Sequence, residues 1–130
     1  MQETDESGLL AVRVSMPGPP DTPYAGGVFL VNCQLPVDYP LDSPSVAFLT
    51  KVWHPNIEHA SGAVCANVLN QAWVASLTLR HLFDVYLPQL LAYPNPDDPF
   101  NLDAASEMKR DPKAYEEHVL RYVREYACPP

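Results

Sequence analysis

The sequence predicts a single α+β domain in which a meander of antiparallel strands is followed by helices. Three short runs rich in Val, Leu and Phe lie in the first 50 residues, each bounded by Pro, Gly or Asp. Twelve of the 15 prolines fall between positions 17 and 99, so long helices are confined to particular windows. The connectors between the runs are short, which favours antiparallel neighbours over parallel strands joined by helices.

The three predicted strands span residues 9–15, 27–35 and 45–50. The letters VCANVL predict a further short strand over residues 64–69. That strand lies within an otherwise irregular stretch from 52 to 77, which has neither a helical nor a strand period. An ordered segment of this length is typical of a functional loop.

Helical spacing begins after Thr78, which is a suitable N-cap residue. Apolar residues then recur on one face and predict a buried stripe, made of Leu79, Leu82, Phe83, Tyr86, Leu87, Leu90 and Leu91. Pro88 lies inside this helix, where it removes the bond to the carbonyl of Asp84 and is expected to bend the axis. The proline-rich residues 94–99 then end the helix.

Two more helices are predicted near the C-terminal end. A short helix spans 103–109, and Asp111 followed by Pro112 is typical of an N-cap and the first residue of a final helix. The inner face of that helix is predicted to carry Tyr115, Val119, Tyr122, Val123 and Tyr126.

Composition and charge exclude several classes of function. The net charge of -8 over 130 residues, without any basic run, argues against nucleic acid and anionic membranes as partners. The opening MQETDES lacks the apolar segment of a secretory signal, and no window is long and apolar enough to span a membrane. Cys33, Cys65 and Cys128 form neither a disulfide framework nor a metal-binding pair, which indicates a reducing compartment, the cytoplasm or the nucleus.

His, Asn and Cys residues act together in thiol hydrolases. In this sequence one of each lies within a short stretch, as His54, Asn56 and Cys65. Their spacing argues against a hydrolytic triad, because His-Pro-Asn is a rigid local turn that gives the imidazole little freedom to approach the sulfur. A structural role is therefore favoured for His54. For Cys65, a reactive nucleophile and a small filler of the core are both open on the residues alone.

No pattern of metal ligands is found, and no cofactor is expected. None of the four histidines is spaced like the ligands of a zinc site. They are His54, His59, His81 and His118. Asp97 and Asp98 are adjacent carboxylates in a proline-rich loop, where solvated turn residues are the simpler interpretation.

Four segments together resemble the ubiquitin-conjugating (E2) enzymes. They are PDTPYAGGVF (Pro20 to Phe29), DYPLDSPSVAFLTKVWHPNI (Asp38 to Ile57), SGAVCANVLNQAW (Ser61 to Trp73) and LPQLLAYPNPDDPFNLDAA (Leu87 to Ala105). The order HPN, Cys, Trp and PNPxDP is specific to that family. Within the family, HPNIEHASGAVC and LPQLLAYPNP are most similar to the H-type (yeast Ubc-eight type) enzymes, which work with the GID/CTLH ligase.

The resemblance implies an E2 (UBC-like) fold. It assigns residues 9–127 to a single ubiquitin-conjugating core domain, preceded by a short acidic segment, residues 1–8. E2 domains open with a helix whose basic residues engage the E1 activating enzyme, and this helix is expected to be missing or shortened here. Ala66 and Asn67 replace the Leu and Asp found in many members, which alters the rim of the thioester site.

The family's chemistry can be carried over to four residues. Cys65 matches the thiol that accepts ubiquitin from the E1 as a thioester. Asn56 would support the loop beside Cys65 and the oxyanion formed when a lysine attacks, while His54 would hold that loop in shape. Asp98 matches the acidic gate that orients the incoming lysine.

The implied partners are ubiquitin, the E1, protein substrates and RING-type E3 ligases, the GID/CTLH type among them. Ligase binding is expected at two loops, through Leu41, Trp73, Val74, Ala75 and Ser76. The alternative is a non-catalytic E2 variant that binds ubiquitin or a ligase as a scaffold. Retention of Cys65, Asn56 and Asp98 together favours the enzyme.

Overall fold

The computed structural model describes residues 2–4, 10–74, 76 and 78–128. Its sheet has four antiparallel strands in chain order, β1 (Gln2–Thr4), β2 (Leu10–Pro17), β3 (Val28–Gln34) and β4 (Ser45–Phe48). The predicted meander is confirmed, with β1 as an additional strand. This strand pairs with β2 by placing Gln2 opposite Val12. The sequence did not reveal β1 because its residues are polar and have no apolar alternation.

One face of the sheet packs into the core. Phe29, Val31 and Cys33 of β3 are fully buried, and the residues between them face outward. Val31 pairs with Val14 of β2 on one side and with Phe48 of β4 on the other, so the inner face is apolar across the sheet. This alternation fixes the register, because a slip by one residue would expose the whole row.

The helices are α1 (Ala66–Ala72), α2 (Leu79–His81), a π-helical turn (Leu82–Tyr86), α3 (Leu87–Ala92), α4 (Leu102–Arg110) and α5 (Pro112–Tyr126). None of the residues described before Ala66 is helical. The predicted meander followed by C-terminal helices is therefore present. No helix in the described part of the chain is long and apolar enough to cross a membrane.

The strand predicted over residues 64–69 is wrong. Only Val64 makes a strand-like bridge, to Ile57, and helix α1 begins two residues later. Val68 and Leu69 are both buried, and the helix brings these neighbouring side chains to the core together. A strand would have turned one of them away, so tertiary burial overrides the β propensity of the two valines.

Residues 79–92 form one helical run, as predicted from Thr78 onward. The hydroxyl of Thr78 accepts a hydrogen bond from the N–H of His81 at 3.1 Å. Within the predicted stripe, Leu79 and Tyr86 are part-buried and the other five members are buried. Just before Pro88 the N–H of Leu87 donates to the carbonyl of Leu82, five residues back, which is the π-helical bond.

The last two helices both begin at a side-chain cap, of which only the one at Asp111 was predicted. Asn101 caps α4, and Asp111 caps α5 by accepting from the N–H of Ala114 at 3.2 Å, with proline as the first helical residue. On the predicted inner face of α5, Tyr115, Val119 and Val123 are buried and Tyr122 is part-buried. Tyr126 was wrongly assigned to that face, since it is 44% exposed near the helix end.

Candidate active site

The turn formed by residues 54–56 is buried, and hydrogen bonds fix its histidine. The Nδ1 atom of His54 accepts from the N–H of Asn56 at 3.0 Å, so the ring proton is on Nε2, which donates to the carbonyl of Leu90 at 2.8 Å. Burial lowers the pKa of His54 to about 4. The ring is therefore neutral near pH 7, and both of its nitrogens are occupied. It is not free to act as a base toward Cys65, which excludes the thiol-hydrolase arrangement.

The side chain of Asn56 joins this turn to the loop of residues 94–101. Its Nδ2 donates to the carbonyls of Asn95 at 2.8 Å and Asp98 at 3.0 Å. Its Oδ1 accepts from the N–H of Asn95 at 2.8 Å. Both amide protons are thus used, and the loop is held at two points.

The backbone of the turn adds a second set of bonds to the same loop. The carbonyl of Pro55 accepts from the N–H groups of Phe100 at 2.7 Å and Asn101 at 2.9 Å. Within the loop, Oδ1 of Asn95 accepts from the N–H of Asp97 at 3.1 Å. We call residues 54–56 together with residues 94–101 the turn–loop junction.

Cys65 is attached directly to this junction. Its N–H donates to the carbonyl of Asn56 at 2.9 Å, and its own carbonyl accepts from the N–H of Leu69 at 3.1 Å. The residue is 8% exposed and lies at the start of α1, beside the exposed Ala66 and Asn67. The bond to Asn56 therefore ties the position of Cys65 to that of the loop.

Tyr86 forms a hydrogen bond with the backbone of helix α1. The hydroxyl of Tyr86 donates to the carbonyl of Val68 at 2.9 Å. Burial and, to a smaller extent, the nearby Cys65 together raise the pKa of Tyr86 to about 12. The phenol is therefore protonated at neutral pH and acts as a donor.

The two adjacent aspartates of the loop differ. Asp97 is exposed and forms an ion pair with Lys109 at 2.9 Å. Asp98 is part-buried, and Asn56 binds its backbone carbonyl. The structure thus distinguishes a solvated turn aspartate from one whose position is set by the junction.

The predicted ligase-binding residues lie on two loops that touch each other. The indole N–H of Trp73 donates to the carbonyl of Pro40 at 2.9 Å, and its ring lies 5.9 Å from that of Tyr39. Leu41 is 76% exposed and Val74 is 56% exposed. We call these two side chains the Leu41/Val74 patch. Ser76 is exposed, and Ala75 lies outside the described residues.

The other cysteines lie away from the junction. Cys33 is inside the sheet, where burial raises the pKa of its thiol to about 12. Cys128 is exposed after the last helix. Among the described residues, no group of three or more Cys, His, Asp or Glu side chains could hold a metal ion.

The structure adds two contributors that the sequence analysis did not single out. Asn95 gives its N–H, its carbonyl and its side-chain oxygen to the junction. The Asn-Pro-Asp order is a signal for such a local turn. The carbonyl of Pro55 is the other contributor, and no sequence pattern could have identified it because it depends on the tertiary approach of the loop.

Comparisons with known proteins agree on one family. The family model described as ubiquitin-conjugating enzyme matches residues 1–123. The chain is 47% identical over 127 residues to ubiquitin-conjugating enzyme E2 6 of Arabidopsis thaliana, covering 98% of this chain and 69% of that protein. It is 49% identical over 122 residues to ubiquitin-conjugating enzyme E2-23 kDa of Triticum aestivum, covering 94% of this chain and 66% of that protein.

A solved structure gives the same result for the fold. The E2 domain of a Toxoplasma gondii ubiquitin conjugating enzyme superposes with a TM-score of 0.81 at 30% sequence identity. The match covers 97% of this chain and 86% of that chain.

Proposed function

Because this chain belongs to the ubiquitin-conjugating enzyme (E2) family, we propose that it carries ubiquitin as a thioester on Cys65 and passes it to lysine side chains. Membership of the family gives it ubiquitin, an E1 and an E3 as general partners. The observation that carries the assignment of Cys65 is its backbone bond to Asn56, which joins the backbone of Cys65 to the turn–loop junction.

The first step is an exchange of thioesters. The thiolate of Cys65 attacks the carbonyl carbon of ubiquitin on the E1, a new C–S bond forms, and the E1 thiolate leaves as the old C–S bond breaks. Cys33 is unsuited to this step because it is buried in the sheet with its pKa raised to about 12.

The second step is aminolysis. The lysine nitrogen attacks the thioester carbonyl, an amide C–N bond forms, the C–S bond breaks, and Cys65 is released as the thiolate. The ordinary pKa of lysine is about 10.4, so its ammonium must lose one proton to solvent before or during attack, and the nitrogen loses a second proton to solvent as the amide forms. Asp98 is the group that orients this ammonium, and its part-buried position at the junction supports that role.

Asn56 acts here as a positioning residue. Both of its amide protons are donated to the loop that carries Asp98. Its removal would let Asp98 drift from the attack path, and a misplacement of that kind costs about a hundredfold in rate. Direct donation to the oxyanion would require one of these two bonds to open first.

We assign the chain to the H type and its ligase to the GID/CTLH type on the two segments that resemble those enzymes. The Leu41/Val74 patch supports a ligase surface, because both apolar side chains are exposed next to a loop contact that fixes them. Discharge measured with a GID/CTLH ligase and with an unrelated RING ligase tests this assignment. Equal stimulation by both would contradict it.

Charging with E1, ATP and ubiquitin tests the central proposal. The wild-type chain should give an adduct that reducing agent removes. Cys65→Ser should give an ester that survives reducing agent but not hydroxylamine, whereas Cys33→Ser and Cys128→Ser should keep the thioester. An unchanged adduct in Cys65→Ala would overturn the assignment. Failure of the wild-type chain to charge, with ubiquitin binding retained, would favour the scaffold alternative.

A further inference from the structure

A groove of about 550 Å³ runs beside the candidate active site. It lies between the loop before β4, the residues that flank Cys65 in sequence, and Phe100 of the turn–loop junction. Its walls include the apolar side chains of Pro44, Val46, Val64, Leu69 and Phe100. Phe100 is 40% exposed, so one wall is open to an incoming chain. The volume lies within the range of pockets that hold a small ligand or a few side chains.

The groove is lined by residues that flank the proposed reacting centre in sequence. Val64 and Ala66 line it and are the immediate neighbours of Cys65, while Phe100 lies two residues beyond Asp98. A protein whose lysine reaches Cys65 past Asp98 must therefore extend its chain close to this groove. Extended chains advance about 3.3–3.6 Å per residue, so residues two to four positions from the lysine lie about 7–14 Å away.

The lining of the groove carries a negative charge. Asp42 is the one charged side chain among the described residues of that lining, and Ser43, Ser45 and Asn70 supply neutral polar groups. The carboxylate of Asp38 raises the pKa of Asp42 by a hydrogen bond and by its charge. Two carboxylates thus lie together with no basic group in the lining, and a cation between them would relieve their repulsion.

We propose that this groove binds the part of the acceptor protein that flanks the target lysine, with an apolar side chain between its walls and an Arg or Lys at Asp42. The selection follows from the chemistry of the lining, which combines apolar side chains with the negative charge of Asp42. The proposal rests on the proposed function, because the lysine is taken to react at Cys65.

Single-turnover discharge from the charged wild-type enzyme tests the preference. Matched peptides carry one lysine followed, two to four residues later, by Leu-Arg, Leu-Glu or Ser-Ser, and free lysine is the reference acceptor. The Leu-Arg peptide should react best at low concentration, with an apparent KM about fivefold below that of the Leu-Glu peptide. At high salt the apparent KM values of the Leu-Arg and Leu-Glu peptides should approach each other, because salt screens the charge of Asp42. The Ser-Ser peptide should keep a higher apparent KM, since it lacks the apolar contact.

Two variants locate the effect. Asp42→Lys should abolish the preference for Leu-Arg over Leu-Glu, and Ser45→Phe should raise the KM of both Leu peptides by filling the groove. Discharge to free lysine should stay unchanged in both. Glu116→Lys makes the same change of charge on the exposed face of α5 and should leave every rate as in the wild type.

The outcomes separate this inference from the function it rests on. Failure of the wild-type enzyme to charge, or to discharge to free lysine, would remove the proposed function. Normal discharge to free lysine with equal rates for the three peptides would overturn the groove assignment alone. Slower charging of Ser45→Phe by the E1, with peptide discharge unchanged, would also overturn it by assigning the groove to the charging step.

Discussion

The turn–loop junction and the Leu41/Val74 patch are built from opposite kinds of residue. The junction is held by buried polar groups that pair across the turn and the loop, with Asn56 alone making three side-chain hydrogen bonds. The patch consists of exposed apolar groups on loops joined by the Trp73 to Pro40 bond. A buried amide that loses its partners is costly, whereas an exposed leucine contributes little to folding.

A residue of the patch can therefore be altered without harm to the fold, whereas a residue of the junction cannot. In the junction, stability and the proposed catalytic role depend on the same bonds, so a loss of activity there needs a measurement of folding beside it. In the patch, stability and the proposed ligase binding are separate. The expected loss of the free energy of unfolding therefore falls from the centre of the junction to the patch.

Asn56→Ala should have the largest effect. It removes three hydrogen bonds and leaves the carbonyls of Asn95 and Asp98 without their donors, which should cost about 3 kcal/mol of the free energy of unfolding. Urea unfolding measures this loss. Asn67→Ala, which removes an exposed amide next to Cys65, should cost about 0.5 kcal/mol or less. Equal losses in the two variants would contradict the structural contrast.

His54 should make the junction sensitive to acid. Its pKa of about 4 lies below the ordinary value of 6.5, so between these pH values the unfolded chain binds a proton that the folded chain does not. The free energy of unfolding therefore falls as the pH falls through this window, by about 2 kcal/mol between pH 7 and pH 5.

Urea unfolding at these two pH values, compared between variants, isolates the contribution of His54. His54→Gln should lose this part of the pH dependence, although the variant is less stable at neutral pH. His81→Gln changes an exposed histidine and should keep the wild-type dependence. If both variants show the pH dependence of the wild type, the buried neutral ring of His54 is not the source of that dependence.

The ion pair of Asp97 with Lys109 should contribute little. The side chains are 82% and 56% exposed, so water and salt screen the pair. A double-mutant cycle with Asp97→Ala and Lys109→Ala should give a coupling energy of about 0.5 kcal/mol. A coupling several times larger would mean that the outer side of the loop is held as firmly as its inner side.

The patch should show the smallest change in stability and a large change in function. Leu41→Ala with Val74→Ala should leave the free energy of unfolding within about 0.5 kcal/mol of the wild type, because both side chains are exposed. Ligase-stimulated discharge should fall about tenfold, while discharge to free lysine without a ligase stays unchanged. A parallel fall in both rates would point to the active site and not to a ligase surface.

The parts of the fold that were predicted correctly depend mostly on signals that are local in sequence. Thr78 and Asp111 accept the cap bonds expected of them, because a cap depends only on residues two or three positions away. β1 and α1 were missed for the opposite reason. β1 is held by pairing with β2, and α1 by the burial of Val68 and Leu69, and neither contact is local in sequence.

The candidate site divides in the same way. Cys65, His54, Asn56 and Asp98 could be selected by motif, and the three segments they occupy are joined by bonds to Asn56. What the motif could not supply is the partner of each atom, above all the use of both Asn56 protons by the loop. Those partners depend on how far residues 94–101 approach the turn, which only the tertiary structure fixes.

The π-helical turn before Pro88 has a consequence for how related sequences are aligned. In its five residues, Leu82–Tyr86, the hydrogen bonds span five residues where those of an α-helix span four. The segment therefore accommodates one extra residue. A homologue that lacks one residue there would tighten the segment to an α-helix and keep its proline in the same position. A one-residue gap at this point of an alignment therefore marks a change of helical pitch and not the loss of an element.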